Sequence, residues 1–288
     1  MAAQILTFFP DDATRLLEPF AGSAAVALAG LHHKKVASVV LNDANSALMA
    51  LWAAIIDHPD EIAAQYRALW IQQQGQERAF YDTIRAEFNR THHPDHFLYL
   101  LARCVKASVR YNAQGEFNQS PDNRRKGAQP DTMRDQIAHA SRLLINRTSL
   151  HNLDYRDVLD MAVQSDIVYL DPPYQGVSKS RDPRYQASIT FEGFARTLHT
   201  LNERGISYIV SYDGRTDAKI YGARLPAELD LAHIELEAGR SSQATLLGRR
   251  AHTFESLYLS PALMSRLGKD MHVAPHTLPR QLQLFESP

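Results

Sequence analysis

The feature that most constrains the fold of this chain is a set of short apolar runs. Each run ends at a glycine turn or a carboxylate. Residues 15–18, 36–41 ("VASVVL") and 166–170 ("DIVYL") are rich in Leu, Val and Ile, which is typical of strands buried on both faces. Helical patterns follow the first two runs, at 24–31 and from Asn45, a predicted N-cap, to about residue 56. Buried strands with crossover helices predict an α/β fold with a parallel sheet.

The alternation of strands and helices stops between residues 60 and 147. The pattern there predicts helices at 60–72, 77–89, 95–110 and 131–145. It predicts no convincing strand. The alternation resumes after residue 149 with strands at "SLHNL", "DIVYL" and "ISYIVS", a helix at 191–204, and "LAHIELEA" paired with "ESLYLS" as an antiparallel edge.

This organisation predicts one sheet domain with an insertion between its second and third strands. The predicted parts are a sheet domain at 1–58 and 148–263, a helical insertion at 59–147, and a tail at 264–288 with little structural signal. In open α/β sheets ligands lie outside the carboxyl ends of the strands, so the chemistry is expected there.

Composition narrows the class of protein only slightly. The 288 residues carry a net charge of −1, and a single cysteine, Cys104, excludes an internal disulfide and favours a cytoplasmic location. No apolar run reaches the roughly 20 residues that span a bilayer, and the sequence predicts no metal site.

From residue 103 to 147, nine Lys or Arg stand against four acids, an excess of five. Charge alone fits a phosphate-binding patch and a solvated helix face equally well.

Two strand ends predict a nucleoside site. Gly22, in "EPFAGS", permits a tight turn and close approach of a ligand to the backbone. The segment lacks both the GxGxxG pattern and a Lys-Ser/Thr pair, which argues against a dinucleotide site and a Walker loop. Asp43 ends the next strand and is suited to accept both hydroxyls of a ribose. Together they suggest an adenosine-containing ligand without a phosphate loop, and S-adenosylmethionine fits this description.

The third strand end carries the tetrad Asp171-Pro172-Pro173-Tyr174. Two prolines stiffen the loop and leave free carbonyls. A carboxylate and a rigid carbonyl can accept both hydrogens of an aromatic amino group, while the Tyr174 ring can stack on a planar base. A turn closed by Pro-Pro would explain the prolines but not the whole tetrad at a strand end.

These motifs together resemble the Dam-type DNA adenine methyltransferases. Glu18 to Ala25 is similar to the family's "EPFxGxGS", "LNDANSAL" to its "xxDxNxxL" strand end, and the DPPY tetrad to its catalytic signature. The most specific match is "RYNAQGEFNQSP", which resembles "RYNxxGxFNxPxG" in the family's DNA-recognition region. "GRSSQ" and "ESLYLS" resemble its closing region, so the likeness covers residues from about 15 to 260.

The resemblance implies an S-adenosylmethionine-dependent methyltransferase with a Rossmann-like sheet and a helical target-recognition insertion. The implied reaction methylates the exocyclic amino group of adenine in a specific double-stranded DNA sequence, with the base flipped out of the duplex. The implied catalytic residues are Asp171, Pro172, Pro173 and Tyr174. The implied cofactor-binding residues are Phe20, Ala21, Gly22, Asp43, Asp154, Tyr155 and Asp171. The implied DNA-binding residues are Arg110, Tyr111, Asn112, Asn118, Arg240, Ser241 and Ser242.

Several features depart from the family pattern. The opening "MAAQILTFFPDD" has no counterpart of the usual "KWAGGK"-like cofactor segment, Ala24 replaces the second glycine of the first loop, and "NQSP" stands for the family's "NVPxG" piece. The missing segment leaves a DNA-binding descendant with weak catalysis as one alternative. Methylation of an RNA base is another, because similar tetrads occur in methyltransferases that act on RNA bases. The expected partner is double-stranded DNA, with no membrane, a monomeric state, and a cognate restriction endonuclease left open.

Overall fold

A computed structural model describes residues 1–105, 109–173, 189–216, 219–221, 224–240 and 252–268. The helices, labelled α1 to α10 in chain order, are Ala2–Ile5, Ala25–His32, Ser46–Asp57, Pro59–Gln72, Glu77–Thr91, Pro94–Arg103, Pro130–Leu144, Tyr155–Asp160, Phe191–Glu203 and Pro261–Arg266. The strands, labelled β1 to β8, are Arg15–Glu18, Ser38–Asn42, Thr148–His151, Ile167–Leu170, Tyr208–Thr216, Lys219–Tyr221, Ala232–Arg240 and His252–Leu259. Short 3₁₀ turns lie at Leu6–Phe8 and Ala227–Leu229.

The strands form a single mixed sheet in the order β3-β2-β1-β4-β5-β8-β7, and β6 pairs with β5 outside this path. Neighbours from β3 to β5 are parallel, whereas β8 runs antiparallel to both β5 and β7. The strand order reverses between β1 and β4, which creates a crevice at their carboxyl ends. The predicted α/β class and the antiparallel edge are confirmed. Helices α4 to α7 lie between β2 and β3, and the predicted division into domains stays a prediction.

Alternating residues of the sheet enter two apolar layers. Leu16 and Ile167 pack with α1 to α7 on one face, whereas Leu17 and Val168 pack with α8 and α9 on the other. All four are fully buried, as expected of parallel strands covered on both sides. The insertion helices share the first layer with the sheet, so the insertion and this face of the sheet domain have a continuous core.

The helices of the insertion begin where local signals place them. Pro59, Pro94 and Pro130 each occupy the first turn of a helix, where the missing backbone donor costs nothing. The predicted helix at 95–110 is wrong in length, since α6 ends at Arg103. Cys104 instead forms a β-bridge with Pro121, so pairing with a distant segment ends the helix.

The end of the described chain is better ordered than the sequence predicts. Helix α10 runs across residue 264, the predicted start of the tail, and Met264 is buried. Arg266 pairs with Asp12 at 2.7 Å and also donates to the carbonyl of Asp166 at 2.8 Å. Residues 264–268 therefore pack with the sheet domain, and the rest of the predicted tail lies outside the described residues. No helix in the described part of the chain has both the length and the apolar character that are needed to span a membrane.

Candidate active site

A cavity of about 740 Å³ lies at the carboxyl ends of β1, β2 and β4, at the reversal of strand order. Each of the predicted cofactor residues lines it: Phe20, Ala21, Gly22, Asp43, Asp154, Tyr155 and Asp171. Its volume falls within the usual range for small-molecule sites, roughly 300–1,000 Å³. The structure thus brings these residues to one cavity, while their individual roles stay predictions.

The loop after β1 is held in place by Asp43. The Gly22 amide donates to Asp43 Oδ2 at 3.1 Å, and the Asn45 amide donates to Oδ1 at 2.9 Å. Gly22 has φ +50°, and a Cβ built on it would meet nothing within 4 Å. Burial raises the pKa of Asp43 despite these two donors. Because a carboxylate has about four acceptor positions, Asp43 can still accept from the hydroxyls of a ligand.

Two aromatic rings and an ion pair form another part of the cavity wall. The rings of Phe20 and Tyr155 lie 5.1 Å apart with an interplanar angle of 34°. Asp154 caps α8 and binds Arg156 through both carboxylate oxygens, at 2.8 and 2.9 Å. This hydrogen bonding from Arg156 holds the pKa of Asp154 below its usual value. The wall therefore offers a flat apolar surface next to a charged rim.

Three further carboxylates line the cavity. Glu18 is 2% exposed, and burial raises its pKa to about 8, with a smaller contribution from Asp171. Desolvation of the Asp171 carboxylate in the cavity, together with the nearby Glu255, raises its pKa to about 7, although the residue is still exposed to solvent. Burial also raises the pKa of Glu255. The cavity is therefore suited to a ligand that carries positive charge.

The predicted catalytic tetrad is described in part. Asp171 and Pro173 line the cavity, and Pro172 between them is buried. Tyr174 lies outside the described residues, so its stacking role stays a prediction. The carboxylate of Asp171 stands at the end of β4, where the sequence predicts the reacting group.

The insertion approaches the same cavity through a hairpin, residues 110–118. Tyr111 and Phe117 form an antiparallel β-bridge. Asn112 Oδ1 closes the tip by accepting from the amides of Gln114 at 3.0 Å and Glu116 at 2.9 Å. The side-chain Nδ2 of Asn112 donates to the Glu116 carboxylate at 2.8 Å. The side chain of Asn112 therefore shapes the hairpin.

The predicted DNA-contacting residues are differently placed. Arg110 and Asn118 are exposed at the base of the hairpin, whereas Tyr111 is only 6% exposed and lines the cavity. Arg240 ends β7, far along the chain from the insertion, while Ser241 and Ser242 lie outside the described residues. Contact with DNA by any of these residues stays a prediction.

Much of the positive charge of the insertion is already paired. Lys126 lies 2.6 Å from Glu77, and Arg134 lies within 3.4 Å of both Asp131 and Asp135. Arg103 is 2% exposed. These cations contribute to the structure of the insertion, so the local charge excess overstates the charge available to a phosphate backbone.

Sequence reasoning missed several residues of the cavity. Glu18 lies in the motif "EPFAGS", but its isolation from water depends on the packing of α2 against β1. Asn45 lies in "LNDANSAL" and is predicted to be an N-cap. This prediction is confirmed, since its side chain accepts from the Leu48 amide at 3.2 Å. Glu255 and Ile5 reach the cavity from distant parts of the chain. For these two, no local signal indicates the position.

Comparison with known proteins gives a consistent picture. The family model for D12 class N6 adenine-specific DNA methyltransferases matches residues 1–235. A DNA adenine methylase of Serratia marcescens is 32% identical over 167 residues, covering 57% of this chain and 58% of that protein. The Escherichia coli K12 DNA adenine methylase is 28% identical over 205 residues, covering 68% and 70%. A type II methyltransferase of Methanocaldococcus jannaschii is 25% identical, covering 72% and 77%.

The share of the chain that is covered differs between the sequence relatives, the solved structure and the family model. The match spans somewhat more than half the length of the Serratia relative. A solved rRNA methylase from Streptococcus thermophilus covers 90% of this chain with 11% identity and a TM-score of 0.33, which is too low to support an argument. The family model, in contrast, covers most of the chain and includes the insertion, β4 and all of the cavity-lining residues except Glu255. The chain therefore belongs to the D12 class N6 adenine-specific DNA methyltransferase family.

Proposed function

We propose that this protein transfers a methyl group from S-adenosylmethionine to the exocyclic amino group of adenine in a specific double-stranded DNA sequence. One observation carries the proposal most directly. The first-loop glycine, Asp43 and Asp171 converge on one cavity, and Tyr111 of the insertion hairpin lines that cavity too. This convergence supports a cavity at which the proposed cofactor site, the proposed reacting carboxylate and the proposed DNA-recognition element meet.

The residues of the cavity fit the proposed cofactor. Glu18 Oε1 is buried, and the described residues offer it no hydrogen-bond partner, a costly state that a cationic ligand group would relieve. Open space in front of Gly22 allows close approach to the backbone. Asp43 would accept from the ribose hydroxyls, and the Phe20 and Tyr155 rings would hold the adenine. When bound, the cofactor supplies an electrophilic methyl group.

The residues at the end of β4 would act on the target base. Asp171 and the Pro172 carbonyl would accept hydrogen bonds from the amino group, which directs the nitrogen lone pair toward the methyl group. The nitrogen would bond to the methyl carbon as the sulfur–methyl bond breaks and S-adenosylhomocysteine leaves, and the proton that the nitrogen releases would pass to the Asp171 carboxylate. Tyr174 would stack on the base. Because Asp171 lines a cavity, the adenine would have to leave the duplex stack to reach it.

Label transfer tests the proposal. The intact protein is incubated with tritiated S-adenosylmethionine and mixed-sequence duplex DNA that lacks adenine methylation. We expect label in N6-methyladenine, and a loss of at least about 100-fold in Asp171→Ala, since an essential electrostatic contact is removed. Asp160→Ala is the matched control, because Asp160 is an exposed aspartate at the end of α8 outside the cavity.

Other outcomes would point to the alternatives. Transfer to ribosomal RNA without transfer to duplex DNA would overturn the DNA substrate. Calorimetry that detects no cofactor binding at millimolar concentration, together with retained DNA binding, would indicate a descendant without catalysis. Methylation mapping in cells that express the chain would give its target sequence. A monomeric state and a cognate restriction endonuclease stay predictions, and light scattering tests the first.

A further inference from the structure

A continuous path of hydrogen bonds joins the first loop of the sheet domain to the insertion hairpin. It begins with the Gly22 amide and the Asn45 amide, which both donate to Asp43. The side chain of Asn45 then exchanges hydrogen bonds with the Tyr111 hydroxyl, with Nδ2 to Oη at 3.1 Å and Oη to Oδ1 at 3.3 Å. The path is therefore Gly22, Asp43, Asn45 and Tyr111.

Each residue on this path also lines the cavity. A ligand that fills the cavity can therefore contact the sheet domain and the insertion at the same time. Tyr111 is the member that belongs to the hairpin, and its ring packs edge-on against Phe117 with centroids 6.1 Å apart. Asn89 holds Phe117 in turn, by accepting from its amide at 2.8 Å and donating to its carbonyl at 3.1 Å.

We propose that Tyr111 is a positioning residue that couples occupancy of the cavity to the placement of hairpin 110–118. The proposal rests on the proposed function, in which the cavity holds the cofactor and the hairpin faces DNA. The DNA contact that the resemblance implies for Tyr111 stays a prediction, and the hydroxyl of this buried residue bonds to Asn45. A bound ligand restricts Asp43 and Asn45, and this restriction reaches the hairpin through the Tyr111 hydroxyl. Coupling of this kind is reciprocal, so correct placement of the hairpin also favours ligand binding.

A purely structural tyrosine would behave differently. Loss of the Tyr111 hydroxyl would then lower the stability of the hairpin equally with and without ligand. Coupling instead predicts that the hydroxyl matters for the change that the ligand causes. The informative quantity is therefore the ratio of hairpin opening with and without ligand, measured separately in each variant.

Hydrogen–deuterium exchange measures this ratio without DNA. The probe is S-adenosylhomocysteine, added at saturation to the full chain. The reporter amides are those of Asn112, Gly115 and Asn118, which bond within the hairpin at 2.9–3.0 Å, and those of Gly22 and Asn45 report on the cavity. In the unmodified protein we expect ligand to slow exchange of the hairpin amides by on the order of fivefold or more, as for typical coupled sites.

Tyr111→Phe should reduce the ligand effect on the hairpin to a ratio of about one, while Gly22 and Asn45 remain protected by ligand. Tyr81→Phe is the matched control, because the Tyr81 hydroxyl donates to the carbonyl of Gln119 at 2.9 Å, close to the hairpin but outside the cavity lining. It should keep the full ligand effect. If Tyr111→Phe does not fold, Asn45→Ser replaces it, since serine retains an N-cap oxygen but is too short to reach Tyr111.

The outcomes separate the two proposals. An absence of ligand protection at Gly22 and Asn45 in the unmodified protein would count against the proposed cofactor site. Protection at Gly22 without protection of the hairpin would overturn the coupling alone. A Tyr111→Phe variant that keeps the ligand effect on the hairpin would overturn it as well.

Discussion

The indole Nε1 of Trp52 donates a 3.0 Å hydrogen bond to the carbonyl oxygen of Gly22. Trp52 lies on α3 and is 7% exposed, so α3 supports the first loop of the cavity from behind. The Asp43 carboxylate binds the amide of the same glycine. Both polar groups of the Gly22 backbone are thus fixed by side chains, and this arrangement prepares the loop for a ligand.

We expect Trp52→Phe to lower the free energy of unfolding by about 1 kcal/mol or more, because a largely buried hydrogen bond is lost. Cofactor affinity should fall too, because the loop is less well held. Urea unfolding and calorimetry with S-adenosylmethionine measure the two effects. Trp70→Phe is the control, since Trp70 lies on α4 outside the cavity, and its Nε1 has no hydrogen-bond partner among the described residues. Unchanged cofactor affinity in Trp52→Phe would contradict the supporting role.

A second prediction concerns Gly22 itself. Its φ of +50° strains any other residue, although a Cβ would meet no protein atom within 4 Å. We expect Gly22→Ala to cost about 1 kcal/mol of stability and to weaken cofactor binding, because the new methyl group enters the space proposed for the ligand. Gly75→Ala is a matched control with φ +81°, equally open surroundings and an exposed position on the insertion. An equal loss of cofactor affinity in both variants would show that backbone strain, rather than contact between the new methyl group and the ligand, lowers the affinity.

The sequence predicts the sheet and most of its strand ends because their signals are local. Buried strands have continuous apolar runs, and the turn glycine and the carboxylates follow them directly. A missed local signal is the start of α10, where Ser260 caps the helix by accepting from the Leu263 amide and Pro261 occupies its first position. The early end of α6 is different, because it depends on pairing between Cys104 and Pro121.

The rest of the cavity depends on contacts between distant segments. Glu255 reaches it from β8, and Ile5 reaches it from α1, which packs beside α2. The partnership of Tyr111 with Asn45 joins residues that are 66 positions apart. Neither pairwise spacing nor periodicity encodes such contacts, so the sequence could suggest Tyr111 only as a residue facing DNA.

Stability should depend on pH through Glu18. In the folded chain its pKa is about 8, compared with an ordinary value of 4.5. Between these values the folded state binds more protons than the unfolded state, so stability falls as pH rises. Asp171, with a pKa of about 7, acts in the same direction. We expect Glu18→Gln to make this decline shallower, which urea unfolding between about pH 5 and about pH 8.5 would measure.

A matched variant separates this effect from a general change of charge. Glu228→Gln replaces an exposed glutamate in the second 3₁₀ turn. It should leave the slope of stability against pH as it is in the unmodified protein. A Glu18→Gln variant with an unchanged slope would show that Glu18 does not hold its proton in the folded state.

Asn112 should affect DNA binding through the shape of the hairpin. Asn112→Ala removes the acceptor of the Gln114 and Glu116 amides, which costs about 1 kcal/mol or more at the tip. We expect affinity for duplex DNA, measured by fluorescence anisotropy, to fall about fivefold, the factor that corresponds to 1 kcal/mol. Cofactor affinity without DNA should change much less, because Tyr111 still binds Asn45. Gln114→Ala is the control, since Gln114 is exposed and only its backbone joins the turn. An equal loss of DNA affinity in both variants would show that contacts of the tip with DNA, rather than its shape, determine binding.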